Sequence, residues 1–362
     1  MICLAEMKPA TEPTNALASP LVRLDPLQEP AWDSMVAAHP GGNFFHSRAW
    51  AQVLNQTYGH QPAYFCRFAG GKLQELLPIM EVASWLTGRR GVSLPFTDYC
   101  APLQAAGFDG AEIYEHALDH GRQRGWRYLE CRGLMPGWQS ATPSLGFHGH
   151  AVDLQAGQNL LYNRLEGAVR RGIKKAEEAK LRVEFSSDLE SIRTYYALHC
   201  QTRRGHGLPP QPLRFFENIA RYVLERGLGF VATVRCEGQP VAGAVFFQQG
   251  AEVLFKFSAS NHSFQHLRPN NFMIWETIKR CAGQGFQTLH LGRTSLTNDG
   301  LRRFKQGFGA REERIDYYRY SFDTRSFIQN VDRAESWANR VFRPLPLPLL
   351  RLAGSLLYPH LS

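Results

Sequence analysis

Residues 267–293 are LRPNNFMIWETIKRCAGQGFQTLHLGR, and residues 300–310 are GLRRFKQGFGA. These two stretches decide the fold. Proline suits the first turn of a helix, so the first stretch predicts a helix over Pro269–Gly283. An apolar run follows and predicts a strand at Phe286–Leu291. The second stretch predicts a short helix at Gly300–Phe308. Helices and strands mix here as they do in α/β proteins.

The sequence before these stretches predicts a meander of three strands, and the first half of the chain shows the same plan. The turn Glu237-Gly238-Gln239 between the first two strands is typical of a hairpin. A basic helix is predicted ahead of the meander, at Leu160–Lys180. The predicted meander strands are Gly229–Cys236, Pro240–Gln248 and Glu252–Ala259. The first half is predicted to contain helices at Ser47–Thr57 and Gly110–Arg124 and strands at Leu73–Val82 and Trp126–Cys131.

Length and this repeated plan predict two domains, since 362 residues exceed one domain of about 150. We expect a loose leader at 1–30, a first domain at 31–158, a second domain at 159–325 and a helical tail at 326–362. The tail has two interpretations. It is a helix that packs on the second domain, or an apolar helix that contacts a membrane surface beside Arg340, Arg343 and Arg351.

The chain carries 41 Lys and Arg against 32 Asp and Glu, a net charge of +9. This excess favours anionic partners such as phosphates, nucleotides, tRNA or acidic lipid headgroups. A hydrophobic content of 44% excludes wholesale disorder. The seven cysteines include no CxxC pair and fit a reducing compartment. No signal peptide and no spanning helix is recognisable, so we expect a cytoplasmic protein whose tail is a route to membrane association.

Basic side chains gather in three places near the end of the second half. Arg268 precedes Asn270 and Asn271 at a predicted helix start, where unpaired N–H groups can hold a phosphate. Arg293 ends a predicted strand. The stretch Gly300–Gly309 interleaves basic residues with phenylalanines and glycines. It is either a basic surface with two core phenylalanines or a backbone that approaches a ligand closely.

The pair His148 and His150 is expected to lie on a surface turn. A metal site is the alternative, but no carboxylate or cysteine stands at ligand spacing. The sequence contains no Walker loop, Rossmann fingerprint, GxSxG elbow or HExxH motif. We therefore predict no metal and none of the enzyme classes that these motifs mark.

The two opening stretches resemble the second domain of the Fem-type (FemABX) family. This family comprises peptidoglycan interpeptide-bridge aminoacyltransferases and proteobacterial relatives, some associated with exosortase and exopolysaccharide loci. The resemblance covers most of the chain, from about residue 40 to about residue 355. It implies two tandem GCN5-related N-acetyltransferase (GNAT) modules, each a mixed, mostly antiparallel sheet flanked by helices. Further matching segments are RRGIKKAEEAKLRV at Arg170–Val183, GNFFHSRAWAQVLNQTYGH at Gly42–His60, VSLPFTDY at Val92–Tyr99 and PLPLPLLRLAG in the tail.

The resemblance also implies roles for individual residues. Lys305, in the family's aromatic–lysine pair with Phe304, is expected to stabilise the acyl-transfer transition state, which builds a negative oxygen; such a donor is worth about 3–4 kcal/mol. Asp98, in a loop similar to the family's GP-x-x-DY, is the candidate base for the attacking amine, with a turn-capping aspartate as the alternative. The other expected substrate contacts there are Phe304, Tyr99, Arg293 and Arg303, and the expected donor contacts are Arg268, Asn270 and Asn271.

One region departs from the family pattern. Peptidoglycan-precursor enzymes carry an Arg and a Tyr for a nucleotide-sugar acceptor, and here Gln211 and Phe215 fall near those positions. This weakens the case for a UDP-linked acceptor. Arg203, Arg204 and His206 are the alternative anion contacts.

Two classes of function stay open on the sequence. The first is a GNAT-superfamily N-acyltransferase or aminoacyltransferase. It would use acyl-CoA or aminoacyl-tRNA as donor substrate, without a tightly bound cofactor. Its acceptor would be an amine of a cell-envelope precursor, either a peptidoglycan peptide or an exopolysaccharide amino sugar. The second is a non-catalytic GNAT-like binding module of an envelope-assembly complex, with RNA as another partner for its basic surface. The expected partners are the envelope precursor, tRNA and, through the tail, the inner membrane.

Overall fold

The computed structural model describes residues 20–108, 110–134, 138, 141–329 and 342–361. The described α-helices are α1 (Trp32–Ala37), α2 (Arg48–Tyr58), α3 (Ala111–Arg124), α4 (Gln158–Arg164), α5 (Gly167–Glu178), α6 (Leu189–Gly205), α7 (Leu213–Tyr222), α8 (Pro269–Gly283), α9 (Asp299–Gln306) and α10 (Leu347–Leu357). The described strands are β1 (Val22–Leu24), β2 (Gln61–Pro62), β3 (Tyr64–Ala69), β4 (Lys72–Leu77), β5 (Met80–Ser84), β6 (Gly88–Ser93), β7 (Leu103–Gln104), β8 (Trp126–Arg132), β9 (Leu145–Asp153), β10 (Arg182–Ser186), β11 (Gly229–Cys236), β12 (Gln239–Gln249), β13 (Glu252–Ser260), β14 (Thr288–Ser295), β15 (Arg311–Ser321) and β16 (Ser326–Phe327).

Local sequence signals explain several of these boundaries. The Ser47 side chain accepts a hydrogen bond from the Trp50 N–H and caps α2, and Gly59 ends this helix in a left-handed conformation. Helix α8 and strand β11 begin and end where the sequence predicts. The chain becomes extended at Leu165 and Glu166, so the predicted helix at Leu160–Lys180 is two helices, α4 and α5.

A single predicted strand at Leu73–Val82 is also wrong, because the structure has two strands there. Pro78 lies between β4 and β5 and cannot donate a ladder hydrogen bond. The two strands join different sheets: β4 pairs with β3, and β5 pairs with β6. The break therefore moves the chain from one sheet to the other.

The described strands form a small sheet and a large mixed sheet flanked by helices. The small sheet has the order β1-β3-β4-β7. The large, 12-stranded sheet has the order β10-β11-β12-β13-β14-β9-β15-β8-β6-β5-β2, with β16 paired to β15. Two neighbouring pairs in it are parallel, β13 with β14 and β6 with β8. The predicted α/β class, with mixed and mostly antiparallel sheets, is confirmed.

The two halves of the chain exchange their last strands. Strand β9 ends the first half and pairs with β14 of the second half. Strand β15 ends the second half and pairs with β8 of the first half. The two exchanged strands also pair with each other. The predicted boundary at residue 158 divides the chain along the sequence, while in space one continuous sheet joins the two halves.

A shared aromatic core fixes the halves against each other. Helix α2 of the first half packs on α7 of the second, and the ring centroids of Trp50 and Phe215 are 6.0 Å apart. Phe44 stacks on Phe247 at 4.3 Å. All four side chains are buried, and each contributes about 1.5–3 kcal/mol through burial. Loops from both halves are thereby held in place around one site.

The tail packs as the first interpretation predicts. A Cβ on Gly354 of α10 would lie 1.9 Å from the Pro210 carbonyl oxygen, so only glycine fits this contact. Leu350 and Tyr358 are buried. Residues 330–341, including Arg340, lie outside the described part, as does most of the loose leader at 1–30. No helix of the described segments is long and apolar enough to cross a membrane.

Candidate active site

The parallel pairing of β13 with β14 stops after three residues. It joins Glu252–Leu254 to Thr288–His290, and both strands continue beyond it. Strand β14 then shifts its register with β9, and Gly292 at this irregularity has a left-handed φ of 71°. Past this point the two strands no longer pair with each other and the sheet opens.

A central cavity of about 300 Å³ lies at this opening. Its size is at the lower end of the range of small-molecule sites, about 300–1,000 Å³. Its walls come from both halves of the chain. The lining residues are Pro40–Phe45, Asp98, Tyr99, Gly149, His150, Phe247, Gln249, Glu252–Leu254, His290, Gly292, Glu313 and Ile315.

Asp98 lies in the loop after β6, and two hydrogen bonds to the loop backbone hold it. Arg132 donates to the Thr97 carbonyl at 3.0 Å, and the Tyr317 hydroxyl donates to the Asp98 carbonyl at 2.6 Å. The Asp98 carboxylate pairs through Oδ1 with Lys256 Nζ at 3.0 Å. It therefore does not cap its own turn. Its Oδ2 points towards Gly292, where a Cβ would lie 3.3 Å away.

Lys256 is a site residue that the sequence interpretation missed. Its side chain is buried, and its ammonium lies 5.4 Å from the Phe45 ring and 5.3 Å from the Phe257 ring. Burial lowers the pKa of Lys256, while Asp98 raises it. A lysine between Phe255 and Phe257 in an apolar strand is the signal that could have found it, because an isolated buried ammonium is unfavourable without a partner.

Lys305 is buried near the end of α9. Its Nζ donates to the carbonyl oxygens of Gly292 and Arg293, both at 2.9 Å. Burial lowers the pKa of Lys305 to about 8, and the Asp98 carboxylate opposes this shift. The lining residues named above do not include Lys305. Its ammonium lies directly behind Gly292, a residue of the wall, with Asp98 close enough to influence its charge.

Arg293 connects the same groups. Its guanidinium donates to the Tyr317 hydroxyl at 2.6 Å and lies 4.2 Å from the Phe147 ring. Its Nε is 3.9 Å from Asp98 Oδ1. The structure thus brings Asp98, Arg293 and Lys305 close to one another. It adds Lys256 and Tyr317, which sequence reasoning did not include.

The two histidines do not lie on a surface turn. His148 and His150 are in β9, and His150 is buried in the wall of the central cavity. Burial, followed by the charge of Lys305, lowers the pKa of His150 to about 4, so its imidazole is neutral at pH 7. Glu312 lies 3.1 Å from His148 and 3.3 Å from His150. Among the described residues, no three ligand side chains are grouped so as to hold a metal ion.

The remaining candidates near α9 differ in position. Tyr99 lines the central cavity and is 43% exposed. Phe304 packs on the apolar core with Phe308, at 5.3 Å between ring centroids. Arg303 is exposed and donates to the Asp299 carbonyl of its own helix. Of these three, Tyr99 is the one in the wall.

The expected alternative anion contacts lie away from the central cavity. Arg203 donates to the Pro209 carbonyl at 3.2 Å and to the Tyr358 hydroxyl at 2.9 Å, which ties α6 to the tail. Arg204 lines a shallow hollow beside Arg343. His206 is exposed at the end of α6. Gln211 and Phe215 are buried, with Gln211 bonded to His199.

The expected donor contacts surround the start of α8. Arg268 is exposed and left-handed, with φ of 59°, a conformation that costs a non-glycine residue about 1–2 kcal/mol. Asn271 packs against Gly172 of α5. Asn270 Oδ1 is buried and has no hydrogen-bond partner within the described part of the chain. None of these three lines the central cavity, so a donor that reaches both places must be extended.

Comparison with known proteins agrees with this architecture. Residues 164–306 match a family model described as an acetyltransferase (GNAT) domain. No curated protein matches the sequence. A solved structure of FemX superposes with a TM-score of 0.63 at 14% identity, over 82% of this chain and 97% of that chain.

Two further solved structures share the tandem arrangement or its overall fold. A tandem GNAT protein from the clavulanic acid biosynthesis pathway superposes with a TM-score of 0.53 at 10% identity, over 83% of this chain and 98% of that chain. L-PGS from Bacillus licheniformis superposes with a TM-score of 0.52 at 11% identity, over 92% of this chain and 97% of that chain. At such identities the likeness concerns the fold and leaves the substrate open. Residues 164–306 are thus similar to a GNAT acetyltransferase domain, and the chain as a whole has the fold of tandem GNAT proteins.

Proposed function

We propose that this protein transfers an acyl or aminoacyl group from an activated carrier to an amine of a cell-envelope precursor. One observation carries the proposal: Asp98 in the wall of the central cavity pairs with the buried Lys256, and the buried Lys305 donates to the carbonyl of Gly292 in the same wall. The GNAT match over residues 164–306 supports N-acyl transfer. The resemblance to the Fem-type family supports the envelope acceptor and the exopolysaccharide-associated branch.

The chemistry of the reaction matches the groups in the wall. An amine attacks the carbonyl carbon of a thioester or an ester, the new N–C bond forms, and the carbonyl oxygen becomes negative. The amine must then lose a proton, and Asp98 Oδ2 is the acceptor in our proposal. The tetrahedral intermediate collapses and expels the thiolate or the ribose alkoxide of the carrier, which takes up a proton.

Lys305 supplies positive charge for the negative oxygen. An ammonium has three donor hydrogens, and two of them bond to the Gly292 and Arg293 carbonyls. The third remains for the oxygen that forms in the transition state. Fixed donors of this kind contribute about 3–4 kcal/mol because they need no reorganisation during the reaction.

The donor and the acceptor approach from different sides in this proposal. The carrier lies along the start of α8, with Arg268, Asn270 and Asn271, and extends past Arg303 towards β14. The acceptor amine enters beside Asp98 and Tyr99. Arg203 is used to hold the tail, so Arg203, Arg204 and His206 are not part of the proposed acceptor site. Acyl-CoA and aminoacyl-tRNA are both available in the cytoplasm, where we place the reaction.

Thermal unfolding with candidate donors tests the proposal. Acetyl-CoA, longer acyl-CoA and aminoacyl-tRNA are added separately, with free CoA and uncharged tRNA as controls. The proposal predicts protection by one class of acylated donor, and transfer of its labelled acyl group to an added amine. Salt-sensitive binding of any RNA, without preference for a donor, would instead establish a non-catalytic binding module.

A further inference from the structure

The outer face of α10 is apolar, and no other residue of the described segments covers it. Leu349, Leu352 and Leu356 follow one another at helical spacings of three and four residues, so they share one face. These side chains are 51%, 57% and 63% exposed. The opposite face, with Leu350 and Gly354, is the one that packs on the body of the protein. Helix α10 is therefore anchored on one side and leaves a leucine stripe on the other.

A second exposed apolar element lies against the end of this helix. Trp85 is 86% exposed in the turn between β5 and β6, and its ring lies 5.2 Å from the ring of His360. The Ser84 hydroxyl bonds to His360 Nδ1 at 3.0 Å, and Arg90 donates to the His360 carbonyl at 2.7 Å. Leu86 and Leu361 are exposed beside these residues. The turn is thus held against the end of the tail, and both expose apolar side chains.

The arginines of the two segments that form this surface give them a positive charge. Residues 83–90 and 342–361 contain Arg89, Arg90, Arg343 and Arg351 and no Asp or Glu. Arg89, Arg343 and Arg351 are exposed. Arg343 also lines the shallow hollow that contains Arg204. An apolar stripe with arginines at its border suits the interface of an anionic bilayer, and exposed tryptophan is typical of that depth.

We propose that α10 and the turn at Trp85 and Leu86 form a membrane-docking surface that binds the protein to anionic lipid headgroups. The leucines and Trp85 insert at the boundary of the acyl chains, and the arginines contact phosphate groups. A second copy of the chain is the other candidate to cover this surface. In such a dimer, however, the arginines of one copy would face the arginines of the other. This inference is independent of acyl transfer, because lipid binding is measured without turnover.

Vesicle co-sedimentation of the full chain tests this surface. The vesicles are pure phosphatidylcholine or equal parts of phosphatidylcholine and phosphatidylglycerol. We expect binding to the anionic vesicles that weakens as salt is raised. The variant L349S/L352S/L356S should bind at least about tenfold more weakly, because it loses the inserted apolar area. The matched control is Leu160→Ser, at a leucine that is 59% exposed on α4, and it should bind as the wild type does.

Two further measurements complete the test. Arg343→Gln and Arg89→Gln should each weaken binding to anionic vesicles about fivefold. Subtracting the emission spectrum of Trp85→Phe from that of the wild type isolates the emission of Trp85. This emission should shift to the blue when anionic vesicles are added.

Circular-dichroism melting must show that every variant folds. Equal binding by the triple-leucine variant, or no binding by the wild type, would refute the proposal. So would a wild-type dimer that the triple variant converts to a monomer while vesicles stay unbound.

Discussion

The ammonium groups of Lys256 and Lys305 are buried and interact with the charge of the Asp98 carboxylate, which lines the central cavity. One carboxylate faces two ammonium groups, so this group of three keeps an excess of positive charge. Burial lowers the pKa of both lysines. An oxyanion that forms here meets fixed positive charge in a medium of low dielectric constant, where the attraction is much stronger than in water.

The protonation of Lys305 predicts a pH dependence of transfer. Its pKa is lowered to about 8, and only the charged form stabilises a negative oxygen. The rate constant kcat should therefore fall as the pH rises through about 8. Lys305→Gln should lower kcat by about 10²–10³-fold and remove this falling limb. A pH–rate profile of both proteins measures the effect, and an unchanged limb in the variant would assign the titration to another group.

The pair of Asp98 and Lys256 predicts a large effect on stability. Asp98→Asn leaves the Lys256 ammonium buried without its partner, which should cost about 3–5 kcal/mol. Adding Lys256→Met to this variant should restore a large part of that loss, because both charges are then gone. Urea unfolding of the two single variants and the double variant gives the coupling energy.

The exposed pair of Glu184 and Arg235 is the control for this cycle. Its atoms are 2.6 Å apart, but the Glu184 side chain is 57% exposed. Glu184→Gln should change stability by less than about 1 kcal/mol. Additive effects of the Asp98 and Lys256 substitutions would contradict a buried, coupled pair.

The sequence could name Lys305, Asp98 and Arg293 through a motif, and the structure places these three together. It could not name the pairing of Asp98 with Lys256, because the two residues are 158 positions apart. The burial of His150 could not be predicted from the sequence either. Its burial depends on how β9 pairs with β14 and β15, and the local pattern His148-Gly149-His150 is typical of a turn.

At the scale of elements, the opening between β13 and β14 makes the site. The wall there depends on the left-handed conformation of Gly292. Added at this position, a Cβ would lie 3.3 Å from Asp98 Oδ2 and 3.3 Å from the Phe255 carbonyl oxygen. Both contacts are tight, so any side chain must move the wall.

Gly292→Ala should therefore distort the wall of the cavity and also strain the local backbone conformation. The matched control is Gly238→Ala, whose φ of 82° is also left-handed but whose Cβ would meet nothing within 4 Å. Each substitution should cost about 1–2 kcal/mol of stability. Only Gly292→Ala should also reduce protection by the donor and the transfer rate. Equal transfer by both variants would show that this part of β14 does not shape the site.

Elements with strong local signals were predictable. Helix α8 has proline in its first turn, and β11 is rich in apolar residues and precedes a hairpin turn, so both were bounded as the structure has them. Strand β9 was missed because Gly146 and Gly149 interrupt its pattern. Its stability comes from partner strands that are distant in the sequence.

At the scale of the whole molecule, the exchanged strands make each half incomplete alone. Strand β9 completes the sheet of the second half, and β15 completes that of the first. Composition and periodicity indicate two repeated halves. They do not specify which half a strand joins. The alternation of apolar and polar residues defines which face of a strand is buried, but it does not define the strand with which it pairs.

The exchange predicts that the halves do not fold separately. A chain cut between Ala156 and Gly157 yields two fragments, each missing a strand of its own sheet. Neither fragment should show a cooperative thermal transition by circular dichroism, and mixing them should restore one. The uncut chain should unfold in a single transition. Two independently folding fragments would contradict the shared sheet and the shared aromatic core.

Hydrogen exchange with and without donor tests the central claim most directly, because it locates the donor without knowledge of the acceptor. The protein is incubated with the acylated donor that raises its melting temperature, and peptide exchange is compared with that of the free protein. The account predicts slower exchange in β13, β14 and the start of α8. Protection that avoids these segments and appears elsewhere would show that the acyl group is delivered at another place.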